Sequence, residues 1–464
     1  MLTRDLNAGI FMSMKNGDDR DSGDNGDNRN VKDTVNIGII GYGVVGSSVV
    51  ETIRTNGDAI YSKTGIHINI VAIARKDTSK GAHAGDIPIT SDVDSIISNP
   101  DIDIIVELVG GGTTAKEIIL KAIAGGKHVV TANKALLATH GREIFNATKA
   151  AGVELGFEAS VGGGIPLINT IKESLVANNI TEIAAVINGT SNYILSQMST
   201  SNESYDVSLK KAQDLGYAEA DPTFDVEGVD SAHKITILAS IAFGAWVDYG
   251  KVHTEGITRI SAVDIAFAKE QLHHTIKLLA IAKRDEEGST EVHVHPTLVP
   301  NRYILSSVSD AFNAATIKTD KAGTTIYFGR GAGGQPTSSA VVADISAIAR
   351  NICYGGVGRV SPFGFITERD YRFKGIEETI SSFYLRFNVT DASGVLSAIS
   401  GVLAKHDISI KCAFQRPDPQ AAEGVMPLIF LTYSTSGQQI KSAVAEIGKL
   451  DIIHSEAVVI RVME

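Results

Sequence analysis

Apolar runs and helical segments alternate along the first third of the chain. The runs TVNIGII, INIVAIA, DIDIIVELV, KHVVTA and GVELGFE are apolar enough to be buried on both faces, as parallel strands are. The segments between them, such as 114–124 and 140–151, have helical composition. This alternation predicts an α/β domain with a doubly wound sheet over residues 34–158.

The pattern changes in the middle of the chain. Strand candidates TEIAAVI, EVHVHPTLV and TTIYFG are mixed there with helical segments at 165–177, 229–245 and 336–350. This mixture predicts an α+β domain over residues 159–350, whose last helix completes the preceding domain. Residues 351–378 combine Gly, Pro and charge without periodicity, which is typical of a linker.

The two ends of the chain differ sharply in pattern. Residues 379–464 read as strand SSFYLRFNV, helix 394–405, strands DISIKCAF and MPLIFLTYS, helix 437–449 and strand HSEAVVIRV. This β-α-β-β-α-β order predicts a ferredoxin-like sandwich. Residues 1–33 are rich in Asp, Asn, Gly and Ser, and we interpret them as a disordered tail.

Composition excludes several classes of partner. The 464 residues carry a formal net charge of -11 without a basic block, so we expect no nucleic acid. The longest apolar run, 235–247, is shorter than the roughly 18–20 residues that cross a bilayer, so we expect no membrane span. Two separated cysteines and a start without signal-peptide features favour the cytoplasm.

A glycine motif follows the first predicted strand. Gly41, Gly43 and Gly46 have G-x-G-x-x-G spacing and open a helix. The first glycine permits a tight turn, the second lets the backbone approach a pyrophosphate, and the third lets helix and strand pack closely. We therefore expect a Rossmann-type domain that binds NAD(P) with these glycines and Val45. The alternative is a strand-to-helix turn without a ligand.

The end of the second predicted strand bears on the choice of cofactor. The sequence there reads AIARKD, with Arg75 and Lys76 where an acid would hold the ribose hydroxyl of NAD. Two cations suit the 2′-phosphate of NADP, so NADP is favoured over NAD. Asp77 is adjacent and leaves NAD open, and a solvated strand end is the alternative interpretation.

Carboxylates are concentrated in GYAEADPTFDVEGVDSAHK, residues 216–234. Asp230 and Lys234 lie four residues apart on one face of a predicted helix that becomes apolar, so the lysine is drawn inward. Burial lowers the pKa of a lysine while a carboxylate holds it charged and oriented, as an acid/base group requires. The acids around this helix suit a substrate with an ammonium group, although solvated acids beside an exposed ion pair would give the same pattern.

The same stretch resembles the homoserine dehydrogenase signature. VTANKALLA, FEASVGGGIP and INGTSNYIL agree with that family in the expected order. The resemblance implies reversible NAD(P)H-dependent reduction of aspartate 4-semialdehyde to homoserine, in threonine and methionine biosynthesis. It implies that Lys134 and Lys234 are the catalytic candidates and leaves open which one donates the proton. Lys134 also belongs to the cofactor site.

The resemblance assigns further roles residue by residue. It implies that Glu219 and Asp225 hold the substrate ammonium, that Asp230 orients Lys234, and that Gly189 lies over the substrate. It also implies a monovalent cation, sodium or potassium. The residues implied for that cation are Glu158, Val161, Gly163 and Ile165. Carbonyls turned by VGGGIP suit a hard ion, and a plain glycine-rich turn is the alternative.

The C-terminal segment RFNVTDASGVLSAISGVLAKHDISI resembles an ACT domain. The resemblance implies that a small amino acid, usually threonine, binds at the turn of Gly394, and that the chain is a homodimer or homotetramer. Ser393 replaces the proline common there and leaves the turn less rigid. The alternative for this domain is a role in dimerisation only. The alternative for the whole chain is a noncatalytic amino-acid sensor that acts through this domain.

One pair of histidines also invites a functional interpretation. His293 and His295 alternate on a predicted strand and point to the same side. Neither a cysteine nor a carboxylate nearby completes a ligand set for a transition metal. We therefore interpret them as surface residues of the strand.

Overall fold

The computed structural model describes residues 32–77, 84–415 and 424–464. Most of the predicted tail, residues 1–31, lies outside these ranges. Within the described ranges, no helix is both long and apolar enough to cross a membrane.

The first sheet has six parallel strands in the order β3-β2-β1-β4-β5-β6. This order is that of the Rossmann fold and confirms the α/β fold predicted from the alternating pattern. Its strands are β1 (Thr34–Ile40), β2 (His67–Ala74), β3 (Ile89–Thr90), β4 (Ile104–Glu107), β5 (His128–Thr131) and β6 (Leu155–Gly156). Its helices are α1 (Val44–Thr55), α2 (Gly57–Thr64), α3 (Val93–Ile97), α4 (Thr113–Ala124) and α5 (Lys134–Ala151).

The second sheet is mixed and begins in the middle of the chain. Strands β9 and β10 form a long antiparallel pair at its centre, and β7 pairs with β9. The strands of this region are β7 (Ile180–Val186), β8 (His253–Thr254), β9 (His274–Arg284), β10 (Ser289–Pro300), β11 (Phe312–Thr319) and β12 (Thr324–Arg330). The helices are α6 (Gly189–Ser201), α7 (Tyr205–Asp214), α8 (Thr223–Val226), α9 (Val229–Phe243), α10 (Ala262–Gln271) and α11 (Gly334–Tyr354).

Helix α11 returns from the second sheet to the first. Val341 and Ile345 of this helix are buried in the same core as Ile37 and Ile39 of β1. Close approach to α1 requires a small residue at the start of the helix, because a Cβ at Gly334 would lie 2.5 Å from the Ser48 hydroxyl. The first core is therefore built from two distant parts of the chain.

The C-terminal strands continue the second sheet. β18 pairs in parallel with β10 and antiparallel with β14, and the order runs on through β16 to β15. The elements are β13 (Arg372–Phe373), β14 (Ile380–Thr390), α12 (Val395–Lys405), β15 (Ile410–Gln415), β16 (Val425–Thr432), β17 (Thr435–Ser436), α13 (Gly437–Ile447) and β18 (Val458–Val462). Both helices pack on one face of these strands. The predicted β-α-β-β-α-β order is confirmed.

A buried ion pair ties this C-terminal part to α10. Asp264 has no exposed side-chain surface and accepts hydrogen bonds from the Tyr384 hydroxyl at 2.7 Å and the Arg386 Nε at 2.7 Å. Its other oxygen accepts from the Ser261 backbone at 2.9 Å. Two units of the fold thus share one carboxylate.

Two expectations from the sequence need correction. The helix expected over 165–177 is shorter, with helical backbone over 168–174 that is π-helical at Thr170–Ser174, because the Glu158 carboxylate accepts the N–H groups of Ile168 and Asn169 and fixes a later start. His293 and His295 are buried rather than exposed, and their rings stack 4.8 Å apart. Strand β10 is covered by its neighbours, which the alternating pattern could not reveal.

Candidate functional site

The glycine motif has the geometry that a dinucleotide site requires. Gly41 has a φ of 108°, and a Cβ there would lie 2.5 Å from the Leu108 backbone. At Gly46 a Cβ would lie 2.2 Å from the Gly41 carbonyl, which explains the close packing of helix on turn. A Cβ at Gly43 would meet nothing within 4 Å, so the backbone is approachable just before α1. Val45 lies in the first turn of α1, and the free N–H groups of a helix start suit an anion.

The end of β2 places Arg75 and Lys76 at the edge of this site. Arg75 is half-buried, and its backbone N–H donates to the Thr90 carbonyl at 2.8 Å. Lys76 is exposed. The residues present thus fit a pyrophosphate at Gly43 and a ribose beside the second strand.

A buried carboxylate that sequence reasoning missed lies beside the glycine motif. Glu107 ends β4 and is fully buried. Its Oε1 accepts from the backbone of Val109 at 2.8 Å and Gly110 at 3.3 Å, and its Oε2 accepts from the Thr131 hydroxyl at 2.6 Å. Burial raises the pKa of Glu107, and these hydrogen bonds oppose the rise. The sequence feature that could have revealed Glu107 is an acidic residue at the end of an apolar strand.

Asn133 connects this carboxylate to the start of α5. Its backbone N–H donates to the Thr131 hydroxyl at 3.0 Å, and its Nδ2 donates to the Gly111 carbonyl at 2.7 Å. Its Oδ1 accepts from the Leu136 N–H at 3.1 Å and so caps the helix. Lys134, the first residue of α5, is therefore held at the carboxyl end of the parallel sheet.

Asp230 joins the two lysines that the sequence singles out. Its Oδ1 lies 2.6 Å from the Nζ of Lys134, and its Oδ2 lies 2.6 Å from the Nζ of Lys234. The Lys234 ammonium also donates to the Ile187 carbonyl at 2.6 Å. The side chain of Lys234 is 8% exposed, whereas that of Lys134 is 34% exposed and lies 5.6 Å over the Phe224 ring.

Burial and the neighbouring charges shift the pKa values of Asp230 and Lys234. Burial alone would raise the pKa of Asp230, but Lys234 and Lys134 together hold it below its usual range. Burial lowers the pKa of Lys234, and the charge of Asp230 partly opposes this. The result is an ionised carboxylate beside a lysine that loses its proton more readily than an exposed one.

Asn188 extends the network and was also missed from the sequence. Its Nδ2 donates to the Asp225 carboxylate at 2.6 Å and to the Oδ2 of Asp230 at 2.9 Å. Its Oδ1 accepts from the Ser191 N–H at 2.7 Å and caps α6. Burial raises the pKa of Asp225. The signal for Asn188 was a capping residue placed directly before a helix in INGTSNYIL.

Two further predicted site residues differ in their placement. Gly189 begins α6, and a Cβ there would lie 3.0 Å from the Ala311 carbonyl, so the tight approach requires glycine. Glu219 lies on the exposed turn before α8, where its carbonyl accepts from the Gln213 side chain at 3.2 Å. The contacts above join Lys134, Asp225, Asp230 and Lys234 but leave Glu219 at the edge.

The glycine-rich loop after β6 lies against the end of β12. Gly163 has a φ of 55°, and the neighbouring Gly164 donates its N–H to the Arg330 carbonyl at 3.2 Å. The Glu158 carboxylate accepts from the N–H groups of Ile168 and Asn169, both at 2.8 Å. Burial raises the pKa of Glu158. Over the described part of the chain, no cluster of three or more His, Cys, Asp or Glu side chains could hold a metal ion.

Known proteins resemble the chain over most of its length. The profile for "Homoserine dehydrogenase, NAD binding domain" matches residues 41–158, and that for "Homoserine dehydrogenase" matches residues 166–346. The homoserine dehydrogenase of Pseudomonas aeruginosa is 42% identical over 430 residues, which cover 92% of this chain and 98% of the relative. That of Bacillus subtilis is 36% identical over 424 residues, which cover 90% and 96%.

Solved structures agree with the sequence relatives. A homoserine dehydrogenase from Thiobacillus denitrificans superposes with a TM-score of 0.87 at 41% identity, covering 93% of this chain and 98% of that one. A hyperthermophilic archaeal homoserine dehydrogenase in complex with NADPH superposes with a TM-score of 0.58 at 26% identity, covering 72% and 100%. By these matches and by its nucleotide-binding fold, the chain belongs to the homoserine dehydrogenase family of NAD(P)-dependent oxidoreductases.

Proposed function

We propose that the chain reduces L-aspartate 4-semialdehyde to L-homoserine at the two lysines that share Asp230, with Lys234 as the proton donor. The reversible reaction adds a hydride to the aldehyde carbon and a proton to its oxygen. Bound NAD(P)H supplies the hydride. The observation that carries the proposal is the Asp230 carboxylate, which lies 2.6 Å from the Nζ atoms of both Lys134 and Lys234.

Lys234 has the properties of a positioned acid. Burial lowers its pKa, so its proton is released more readily than that of an exposed lysine. Its Nζ donates to Ile187 and Asp230, both at 2.6 Å, so two fixed acceptors orient the third N–H. A positioned proton donor contributes about 10²–10⁴-fold to a rate.

Lys134 serves a different purpose in this proposal. Its ammonium group pairs with Oδ1 of Asp230, and its side chain is 34% exposed. A cation that reaches into the cleft stabilises the negative charge that develops on the aldehyde oxygen. Lys134 therefore acts through its charge, and Lys234 acts through its proton.

The substrate ammonium fits the acids beside these lysines. Burial and the nearby charge of Asp230 raise the pKa of Asp225, and the hydrogen bond from Asn188 opposes this. An ammonium group placed beside the Asp225 carboxylate, which forms no ion pair with a lysine within the described part of the chain, stabilises its ionised form. We propose that Asp225 holds the ammonium, that Glu219 closes on it from the exposed turn, and that Gly189 lets the substrate approach the start of α6.

Arginine replacements distinguish the two lysines. Arginine keeps the charge but does not release its proton in the working pH range. We expect Lys234→Arg to lower kcat by about 10²–10⁴-fold while NADPH binding is unchanged. Lys134→Arg should keep part of the activity, and its kcat for reduction should still fall as pH rises through the lowered pKa of Lys234, because the donor must be protonated.

Steady-state kinetics of both directions, with NADPH titrated separately by fluorescence, provide the measurement. Lys210→Arg is the control, since Lys210 forms an exposed helical pair with Asp214. An active Lys234→Arg beside an inactive Lys134→Arg would reverse the assignment. Unmodified protein that binds NADPH but does not oxidise homoserine would favour the noncatalytic sensor.

We propose that NADP is preferred over NAD. Arg75 and Lys76 follow β2, beside the ribose end of a dinucleotide laid across Gly43. A hydrogen bond to a charged group contributes about 1.5–3 kcal/mol, so removing the Arg75 guanidinium should weaken NADPH binding by roughly 10–100-fold. Titration of Arg75→Ala with NADPH and with NADH tests this, and equal weakening of both would contradict it.

We propose that the glycine-rich loop binds sodium or potassium. Positive φ values of 78° at Gly162 and 55° at Gly163 turn the carbonyls of this loop in several directions. The ligands would be the carbonyls of Val161, Gly163 and Ile165. Glu158 would contribute its carbonyl as well, because its carboxylate already accepts two N–H groups.

Activity in potassium chloride and in choline chloride of equal ionic strength tests the cation. We expect a higher rate and a higher Tm in potassium, since an ion that binds only the folded chain stabilises it. Equal rates and equal melting temperatures in the two salts would contradict cation binding and favour a purely structural turn.

We propose that residues 379–464 form an ACT-like regulatory unit and that the chain is a homodimer or homotetramer. Gly394 has a φ of 91°, and a Cβ there would meet nothing within 4 Å, so the turn before α12 is open. Threonine is the expected occupant. We expect threonine to inhibit homoserine oxidation, and Gly394→Ala to weaken that inhibition because alanine strains this turn. Rates of homoserine oxidation that do not change with threonine would count against the effector. Sedimentation measures the mass of the protein in solution and so tests the dimer or tetramer.

A further inference from the structure

A second candidate ligand site lies between the C-terminal strands and the middle of the chain. The cavity has a volume of about 330 Å³. That is at the lower end of the roughly 300–1,000 Å³ of small-molecule sites. Its apolar wall is formed by Phe383 of β14, Ile440 and Val444 of α13 and Val459 of β18. It is separate from Gly394, which does not line it.

Charged side chains line the rest of the cavity. The cations are Arg259, Lys441 and Arg461, with His253 beside them, and the acids are Glu255 and Glu377. Each of the three permanent cations pairs with one acid, Arg259 with Glu456, Arg461 with Glu255 and Lys441 with Glu377, so an anionic ligand must use the N–H donors that these pairs leave over. Lys441 pairs with Glu377 at 2.9 Å but stays 69% exposed, so it is available to a ligand.

Arg461 is the best placed of these cations. Its side chain is 11% exposed and lies over the Phe383 ring at 5.4 Å. Within the described ranges, its guanidinium makes one hydrogen bond, to Glu255 at 3.3 Å, and its Nε has no partner. A guanidinium has five N–H donors, and a carboxylate is the group that satisfies two of them together.

We propose that this cavity binds a small aliphatic carboxylate. Its carboxylate is held by Arg461 and Lys441, and its hydrocarbon part packs on Phe383, Ile440 and Val444. Free aliphatic amino acids and their 2-oxo acids share this chemistry. The site is defined by one cation that is short of acceptors beside an apolar wall.

The cavity is connected to the catalytic helix by direct contacts. Glu255, the partner of Arg461, is followed by Gly256 and Ile257, and Ile257 donates its N–H to the Val226 carbonyl at 2.8 Å. A Cβ at Gly228, the residue that precedes α9, would lie 3.3 Å from the Glu255 carbonyl. A ligand that draws Arg461 away from Glu255 therefore acts on the segment that carries Asp225 and Asp230.

Calorimetric titration of the full chain tests the site with three probes. L-Leucine and 4-methyl-2-oxopentanoate carry the carboxylate, whereas isoamylamine has the same hydrocarbon without it. We expect at least one carboxylate to bind and the amine to give no heat. Binding of leucine but not of the oxo acid would identify an amino acid as the source, and the reverse would identify an oxo acid.

Matched variants locate the binding. Lys441→Glu should weaken the bound carboxylate by at least about tenfold, since an attractive charge becomes repulsive. Lys405→Glu is the control, because Lys405 lies on α12 with a similar exposed pair to Glu446 and does not line the cavity. Gly394→Ala should leave this binding intact, which separates the cavity from the proposed threonine turn.

Ligand binding and its effect on activity are measured separately, by calorimetry and by kinetics. Heat of binding does not require turnover, so it tests the cavity even if the proposed proton donor is wrong. In unmodified protein the bound carboxylate should change the KM for homoserine, and Lys441→Glu should lose that change while its activity without ligand stays the same. No heat from either carboxylate, or equal binding to the Lys441→Glu and Lys405→Glu variants, would overturn the proposal.

Discussion

The site depends on one carboxylate shared by two ammonium groups. Asp230 and Lys234 come from α9 beneath the mixed sheet, whereas Lys134 comes from α5 of the parallel sheet. Removing one partner of a buried ion pair costs about 3–5 kcal/mol, because the remaining charge has left water. The two sheets are therefore joined by the same charged group to which we assign the chemistry.

Helix caps place the groups around this carboxylate. Asn133 caps α5 and places Lys134, and Asn188 caps α6 while its amide holds Asp225 and Asp230. Each asparagine caps its helix with the side-chain oxygen, while its side-chain nitrogen donates to Gly111 in the case of Asn133 and to the two carboxylates in the case of Asn188. A helix start is well suited to this task because its free N–H groups fix the capping side chain. Precision at the site thus comes from ordinary secondary-structure chemistry.

The sequence predicted what periodicity and local spacing determine. Strands of the parallel sheet, the geometry of Gly41 and Gly46, and the pairing of Asp230 with Lys234 follow from neighbours within a few residues. Asn188 and the bridge to Lys134 depend on contacts between distant segments, which a local pattern does not contain. The prediction that His293 is exposed failed for the same reason, since its burial depends on which strands lie beside β10.

The mixed sheet connects the C-terminal unit directly to the part of the fold that carries Asp230. β18 pairs directly with β10, so the sheet that supports α9 and the sheet of the C-terminal unit are one. Asp264 adds a second link, because it is buried and binds Tyr384 and Arg386 across the junction. A unit joined by a flexible linker alone would move without consequence. Here any shift of β18 must be taken up by β10 or by the segment that leads to Asp230.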